Sequence, residues 1–288
     1  MRPESELTIY YFSGQLPPNT HIVDTDYVGN WEEQGFSFLF FTGPARQTVE
    51  ELMAAHPQIT LIDEYRLGYA EWLGETPVST RVGRFMITPA WETPPEVEVS
   101  ADFHILWLDP GVVFGTGTHP TTRDCLAAIE AAHRRTTPRI TVDLGTGTGV
   151  LALASARLGT GKVLAVDLNP LAVQTAQKNI RLNRMEHQVL AIRAEARDFA
   201  GRPADLMIAN IHYDAMRRLL DSQSFSRCKH FILSGLLRSE AREVAQRLSH
   251  KSAHILEQWS GDGVWYTFYG QNPPGNKSAF NGEQAYRR

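Results

Sequence analysis

The chain has 288 residues, 42% hydrophobic and 21% charged, which excludes a wholly disordered protein and gives length enough for two domains. A net charge of −4 argues against a protein that coats polyanions, while leaving room for a local basic patch. The charged start runs straight into strand-like sequence with no targeting h-region and no apolar run of about 18 residues, so no signal peptide or membrane span is expected. Cys125 and Cys228 are far apart, with no Cys or His at metal-ligand spacing, which fits two free thiols in a cytoplasmic protein and no metal site.

In chain order, Leu7–Phe12 and Phe36–Phe41 are β-branched and aromatic runs bounded by Gly and Pro, and read as strands feeding a small core. Residues 46–56 read as a helix with Val49, Leu52 and Met53 on one face, and 59–62 as a third strand. Residues 76–115 are punctuated by Pro77, Pro89, Pro94 and Pro95, with short strand-like runs at 85–87 and 104–107. A helix is expected over 123–134. Strands are then expected at 140–144, 163–167, 189–193, 206–210 and 231–234, separated by helices. That alternation is the mark of a parallel, doubly wound sheet. Two last strands, 253–259 and 264–269, flank Gly261-Asp262-Gly263 and should form an antiparallel hairpin.

The most informative stretch is Val142-Asp143-Leu144-Gly145-Thr146-Gly147-Thr148-Gly149-Val150-Leu151. A β-branched run turns through three alternating glycines into an Ala/Leu-rich helix. Glycines there admit φ > 0 and let backbone approach a ligand closely. The helix start offers N–H groups and a positive dipole end. A second run, Val163-Leu164-Ala165-Val166-Asp167, ends in a carboxylate at about the 20-residue offset of a ribose-binding acid. Together they indicate a nucleotide-like cofactor on an open α/β sheet. Val150 occupies the third-glycine position of G-x-G-x-x-G, and Asp143 stands two residues before the first glycine. A carboxylate there can hold the turn's N–H groups or, through water, the amino group of a ligand. Asp-x-Gly-x-Gly-x-Gly resembles the adenosylmethionine-dependent methyltransferases with a seven-stranded sheet. The resemblance implies S-adenosyl-L-methionine as cofactor, with Asp167 on its ribose.

At Leu206–Tyr213 an apolar strand delivers Asn210 to the edge where open α/β sheets hold ligands. The Asn210 carbonyl can accept from an attacking N–H and aim the nitrogen lone pair at a sulfonium methyl. Asn210 also reads as an N-cap for a helix over 213–220. Amino-group methyltransferases often carry Asn-Pro-Pro-Tyr here; this chain has Asn210-Ile211-His212-Tyr213, with neither proline. His212 reads either as a base for an incoming ammonium or as an ordinary loop histidine.

Leu108–Thr122 ends in Phe114-Gly115-Thr116-Gly117-Thr118-His119-Pro120-Thr121-Thr122, a Gly/Thr loop that can close over a ligand. This segment closely resembles the PrmA-type methyltransferases, which trimethylate amino groups of a ribosomal large-subunit protein; Val82–Trp91 resembles the family's strand before that loop. Over about residues 80–270, the resemblance implies cofactor contacts at Thr122, Gly145, Asp167 and Asn210, with Gly147 in the same turn. It also implies a ferredoxin-like N-terminal module that docks the ribosomal protein. The chain departs from the family at His212-Tyr213 and at Ser13–Asn30, where no first helix is evident.

The expected fold is α/β, a Rossmann-like seven-stranded methyltransferase sheet with a small N-terminal α+β domain. The expected organisation is a substrate-recognition domain over 1–75, a connector and cofactor loop over 76–115, a methyltransferase domain over 116–270 and a mobile tail over 271–288. The expected reaction is methyl transfer from S-adenosyl-L-methionine to a lysine side chain or N-terminus of a ribosomal protein. Asn210 would position the amine in a monomer that binds neither membrane nor, stably, nucleic acid. An N-methyltransferase of nucleic acid or small amines, and a catalytically silent adenosylmethionine-binding protein, stand as alternatives.

Overall fold

A computed structural model describes residues 2, 5–17, 20–33, 35–74, 76–93, 103–199 and 202–274. Its first sheet joins β1 (Glu6–Ser13), β2 (Tyr27–Glu33), β3 (Phe36–Phe41) and β4 (Thr60–Gly68) in the order β2-β3-β1-β4. All neighbours are antiparallel. The order is that of a ferredoxin-like β-α-β-β-α-β module. Among the described residues no helix joins β1 to β2, in line with the sequence of that stretch.

The aromatic density of β1 and β3 follows from burial on both faces. One face packs Tyr10, Phe12, Leu39 and Phe41 against Val49 and Leu52 of α1 (Arg46–Ala55). The other packs Leu7, Ile9 and Phe40 against Val112, Val113, Leu171 and Ala172, far along the chain. β2 was not expected, and β4 runs six residues past the expected end at 62.

After α2 (Tyr69–Leu73), the expected connector contains a sheet of its own. β5 (Thr80–Val82), β6 (Phe85–Pro89) and β7 (His104–Leu108) lie in that order, with β6 and β7 parallel. Pro94 and Pro95 fall outside the described residues.

The principal sheet is built by α3 (Pro120–Arg135), β8 (Ile140–Leu144), α4 (Val150–Arg157), β9 (Lys162–Asp167), α5 (Pro170–Leu182), β10 (Val189–Arg193), α6 (Ala196–Phe199), β11 (Ala204–Asn210), α7 (Tyr213–Asp221), β12 (Cys228–Leu237), α8 (Arg238–His250), β13 (His254–Trp259) and β14 (Trp265–Gln271). Its order is β10-β9-β8-β11-β12-β14-β13. The first five are parallel; β14 runs antiparallel to both β12 and β13, as the hairpin reading required. Helices cover both faces, one over Leu151, Leu153, Ile208 and Ile232, the other over Met207, Leu219, Phe231 and Leu233. Strands buried on both faces read as continuous apolar runs, which is why they were legible.

The strand order reverses between β8 and β11, and the crevice at their carboxyl ends is where such sheets take ligands. The expected tail begins later than 271: Gln271 closes β14, and Asn272 donates to the carbonyls of Phe225 and Cys228 at 3.0 and 2.9 Å. From residue 275 on, that tail lies outside the described residues. Among the described residues no helix is long and apolar enough to cross a membrane.

Candidate active site

Five side chains or turns named from sequence, Thr122, Gly145, Gly147, Asp167 and Asn210, line one cavity of about 790 Å³ at the switch point. The turn after β8 passes Gly145, Gly147 and Gly149 at φ of 72°, 54° and 86°. At Gly147 a Cβ would strike the carbonyl oxygen of Phe114, so glycine is required by the close approach of the Phe114 loop as well as by φ. Asp167 fastens this turn to the end of β9. Its Oδ2 accepts from the Gly147 N–H and its Oδ1 from the Asn169 N–H, both at 3.0 Å, while burial raises its pKa.

Asp143 does not line the cavity. It is fully buried beneath the turn, where Oδ2 accepts from the Thr146 hydroxyl at 2.6 Å and Oδ1 has no partner. Desolvation, with the charge of Asp167 adding to it, pushes the carboxyl up to about 7. Of the two roles expected for it, holding the turn is the one its position serves.

The facing wall comes from the start of α3, three residues earlier than the sequence suggested. Pro120 at the first helical position and His119 as N-cap set that start; His119 Nδ1 lies 2.8 Å from the Thr121 hydroxyl and accepts from the Thr121 N–H. Thr122 is 1% exposed, and its hydroxyl has no partner. Asn210, ending β11, donates from Nδ2 to the Thr121 hydroxyl at 3.2 Å. Its Oδ1 lies 3.2 Å from where a Cβ on Gly235 would stand, so the carbonyl end faces the glycine that lines the same cavity.

Asn210 does not cap α7; that place belongs to His212, which is exposed, makes no side-chain cap bond and lines the cavity. Tyr213 is absent from the lining. It packs on the core beneath α7 with Arg217 over its ring at 5.9 Å, so the Asn-x-x-Tyr spacing does not converge on the cavity.

The sequence missed an aromatic series on the wall. Phe114, His119 and Trp265 line the cavity with centroid separations of 5.1 and 5.5 Å, edge to face. Trp265 opens β14, and only the sheet order brings it here. Gln15, just past β1, and Trp31, Glu32 and Glu33 of β2 line the cavity as well. The loop into Phe114 is anchored by Asn179 of α5: Oδ1 accepts from the Asp109 N–H at 2.8 Å, and Nδ2 donates to the carbonyls of Asp109 and Thr148 at 3.0 and 2.9 Å.

Comparison with known proteins bears on the same region. The family model described as ribosomal protein L11 methyltransferase (PrmA) matches residues 71–273. The chain belongs to the PrmA family. A ribosomal protein L11 methyltransferase of Anoxybacillus flavithermus is 38% identical over 176 residues, covering 60% of this chain and 55% of that one. One from Halalkalibacterium halodurans is 31% identical over 236 residues, covering 74% and 73%. The crystal structure of a ribosomal protein L11 methylase from Lactobacillus delbrueckii subsp. bulgaricus is similar with a TM-score of 0.60 at 26% identity, covering 68% of this chain and 98% of that one. With several such relatives, including those of Anoxybacillus and Geobacillus kaustophilus, the match spans only 55% and 57% of the relative's length.

Proposed function

We propose that this PrmA-family chain is an S-adenosyl-L-methionine-dependent methyltransferase that modifies amino groups of a ribosomal large-subunit protein in the cytoplasm. The observation that carries it is Asn210: its amide N–H is committed to Thr121, and its carbonyl faces Gly235, which lines the same cavity as the glycine turn. The cavity suits the cofactor on its own terms. It offers a buried, unpartnered Thr122 hydroxyl, the acid Asp167 at a strand end, and the backbone of Gly145 and Gly147 in its lining. Thr122, Gly145, Gly147 and Asp167 would hold it, and when bound it supplies an electrophilic methyl on a sulfonium.

The amine must arrive neutral, because its lone pair forms the new N–C bond while the C–S bond breaks and its electron pair stays on sulfur. A lysine of pKa about 10.4 is only about one part in two thousand neutral at pH 7, and a water-poor pocket raises that fraction. The Asn210 carbonyl accepts from one of the remaining N–H groups and so aligns the lone pair. Alignment supplies most of the acceleration in such an in-line displacement. After transfer the surplus proton leaves to water. Tyr213 turns away from the cavity, so the Asn-x-x-Tyr spacing that favours a nucleic-acid or small-amine acceptor is not realised there.

Methyl-labelled S-adenosyl-L-methionine, incubated with this protein and ribosomes lacking the modification, should place label on a large-subunit protein. Label confined to RNA or small molecules overturns the reading; so does cofactor binding with no transfer to any component.

A further inference from the structure

Four cavity-lining residues, Gln15, Trp31, Glu32 and Glu33, precede the family-matched span that begins at 71. Three of them stand on β2, an edge strand of the first sheet. Two separate seats hold that sheet against the cavity. In the first, Gly29 lies so close to α5 that a Cβ would stand 2.5 Å from Leu171 Cδ1, while Val28 and Trp31 pack with Val113, Leu171 and Ala172. Leu171 is in the first turn of α5, whose N-cap Asn169 is bonded to Asp167.

In the second seat, the Tyr69 hydroxyl donates to the Gly111 carbonyl at 2.6 Å and Trp72 Nε1 to the Val112 carbonyl at 3.3 Å. Phe40 of β3 meets the Trp72 ring edge-on at 5.0 Å. Gly111–Val113 lead directly to Phe114, whose carbonyl abuts Gly147. Both seats therefore end on elements that line the cavity, the acid strand end and the glycine turn.

We propose that β2 is a working wall of the cofactor cavity, with Trp31 a binding residue for the adenosyl compound that fills it. The inference rests on the cofactor reading above. Trp31 is only partly buried by its packing, and it lines the cavity. An occupant that meets it gains an aromatic contact that a lining of small residues lacks. By the same contact, ligand occupancy and the docking of the first sheet stabilise each other.

The test uses the full chain and S-adenosyl-L-homocysteine as probe. Trp31→Ala should weaken binding about three- to tenfold, with Trp31→Phe recovering most of the loss. In the unmodified protein, hydrogen exchange at Asn30–Glu33 should slow when the probe is added, which reports on the wall even where Trp31→Ala fails to fold. Unmodified protein that binds the probe, together with a Trp31→Ala variant of equal affinity or with exchange rates unchanged across β2, overturns the inference and leaves the cofactor reading standing. Failure of the unmodified protein to bind the probe at all removes the cofactor reading and this inference with it.

Discussion

On the proposed function, Asn210 and Thr121 divide one amide between two tasks: the N–H end holds the side chain still by donating to the Thr121 hydroxyl, and the carbonyl end is left for the acceptor. Asn210→Ala should therefore reduce kcat by more than about a hundredfold while the affinity for S-adenosyl-L-homocysteine stays within about tenfold. Equal losses in both would mean that Asn210 serves only the cofactor. Asp143 gives a separate expectation, because its carboxyl is raised by burial to about 7. A folded-state pKa above the unfolded one means that the folded protein binds the proton more tightly. The stabilisation is thus whole below about pH 4 and is lost as pH rises through about 7. Thermal unfolding of the wild type should lose ground to Asp143→Asn between about pH 5 and about pH 8, since asparagine has no proton to give up and still accepts from Thr146. Parallel curves for the two proteins would refute it. None of this environment was legible beforehand: Asp143 could be named from its spacing, but not that it lies below the turn with one oxygen unpaired.

At the scale of elements, α5 is the hub, since Asn179 satisfies the N–H and carbonyl of Asp109 and the carbonyl of Thr148 from a fully buried position. Asn179→Ala strands these backbone groups and should cost about 3 kcal/mol in urea unfolding; a cost below about 1 kcal/mol would show that the loop finds other partners. The parallel strands β8 to β12 were readable because both their faces are buried and their apolar runs are continuous. β2 was not. Tyr27–Glu33 contains Gly29, Asn30 and two glutamates, and among the described residues it is an edge strand paired with β3 alone, so its conformation comes from its neighbour more than from its own residues. The start of α3 was placed too late because Pro120 reads as a breaker, whereas at the first helical position it initiates. Trp265 and Trp31 carried no local sign of a site, since only sheet order and docking carry them to the cavity.

Across the whole molecule the modest net charge hides an uneven division. Residues 1–75 hold twelve Asp and Glu against three Lys and Arg, a formal −9, while 76–288 hold twenty against twenty-five, a formal +5. On the proposed function, opposed potentials of that size would steer a basic face of the protein acceptor toward the first sheet. Raising salt from about 50 mM to about 300 mM should increase KM for the protein acceptor several-fold and leave the affinity for S-adenosyl-L-homocysteine in place. A KM indifferent to salt would assign the docking to apolar contacts. The position of β14 has a consequence for how the protein is made. Among the described residues it is the last strand in chain order, yet it lies inside the principal sheet, between β12 and β13, and it opens with Trp265. During synthesis the parallel strands are available to assemble first, while the cavity lacks one wall until β14 threads into place. A nascent chain still awaiting β14 has its glycine turn but lacks the wall that Trp265 supplies, so the cavity closes only after the parallel strands are made.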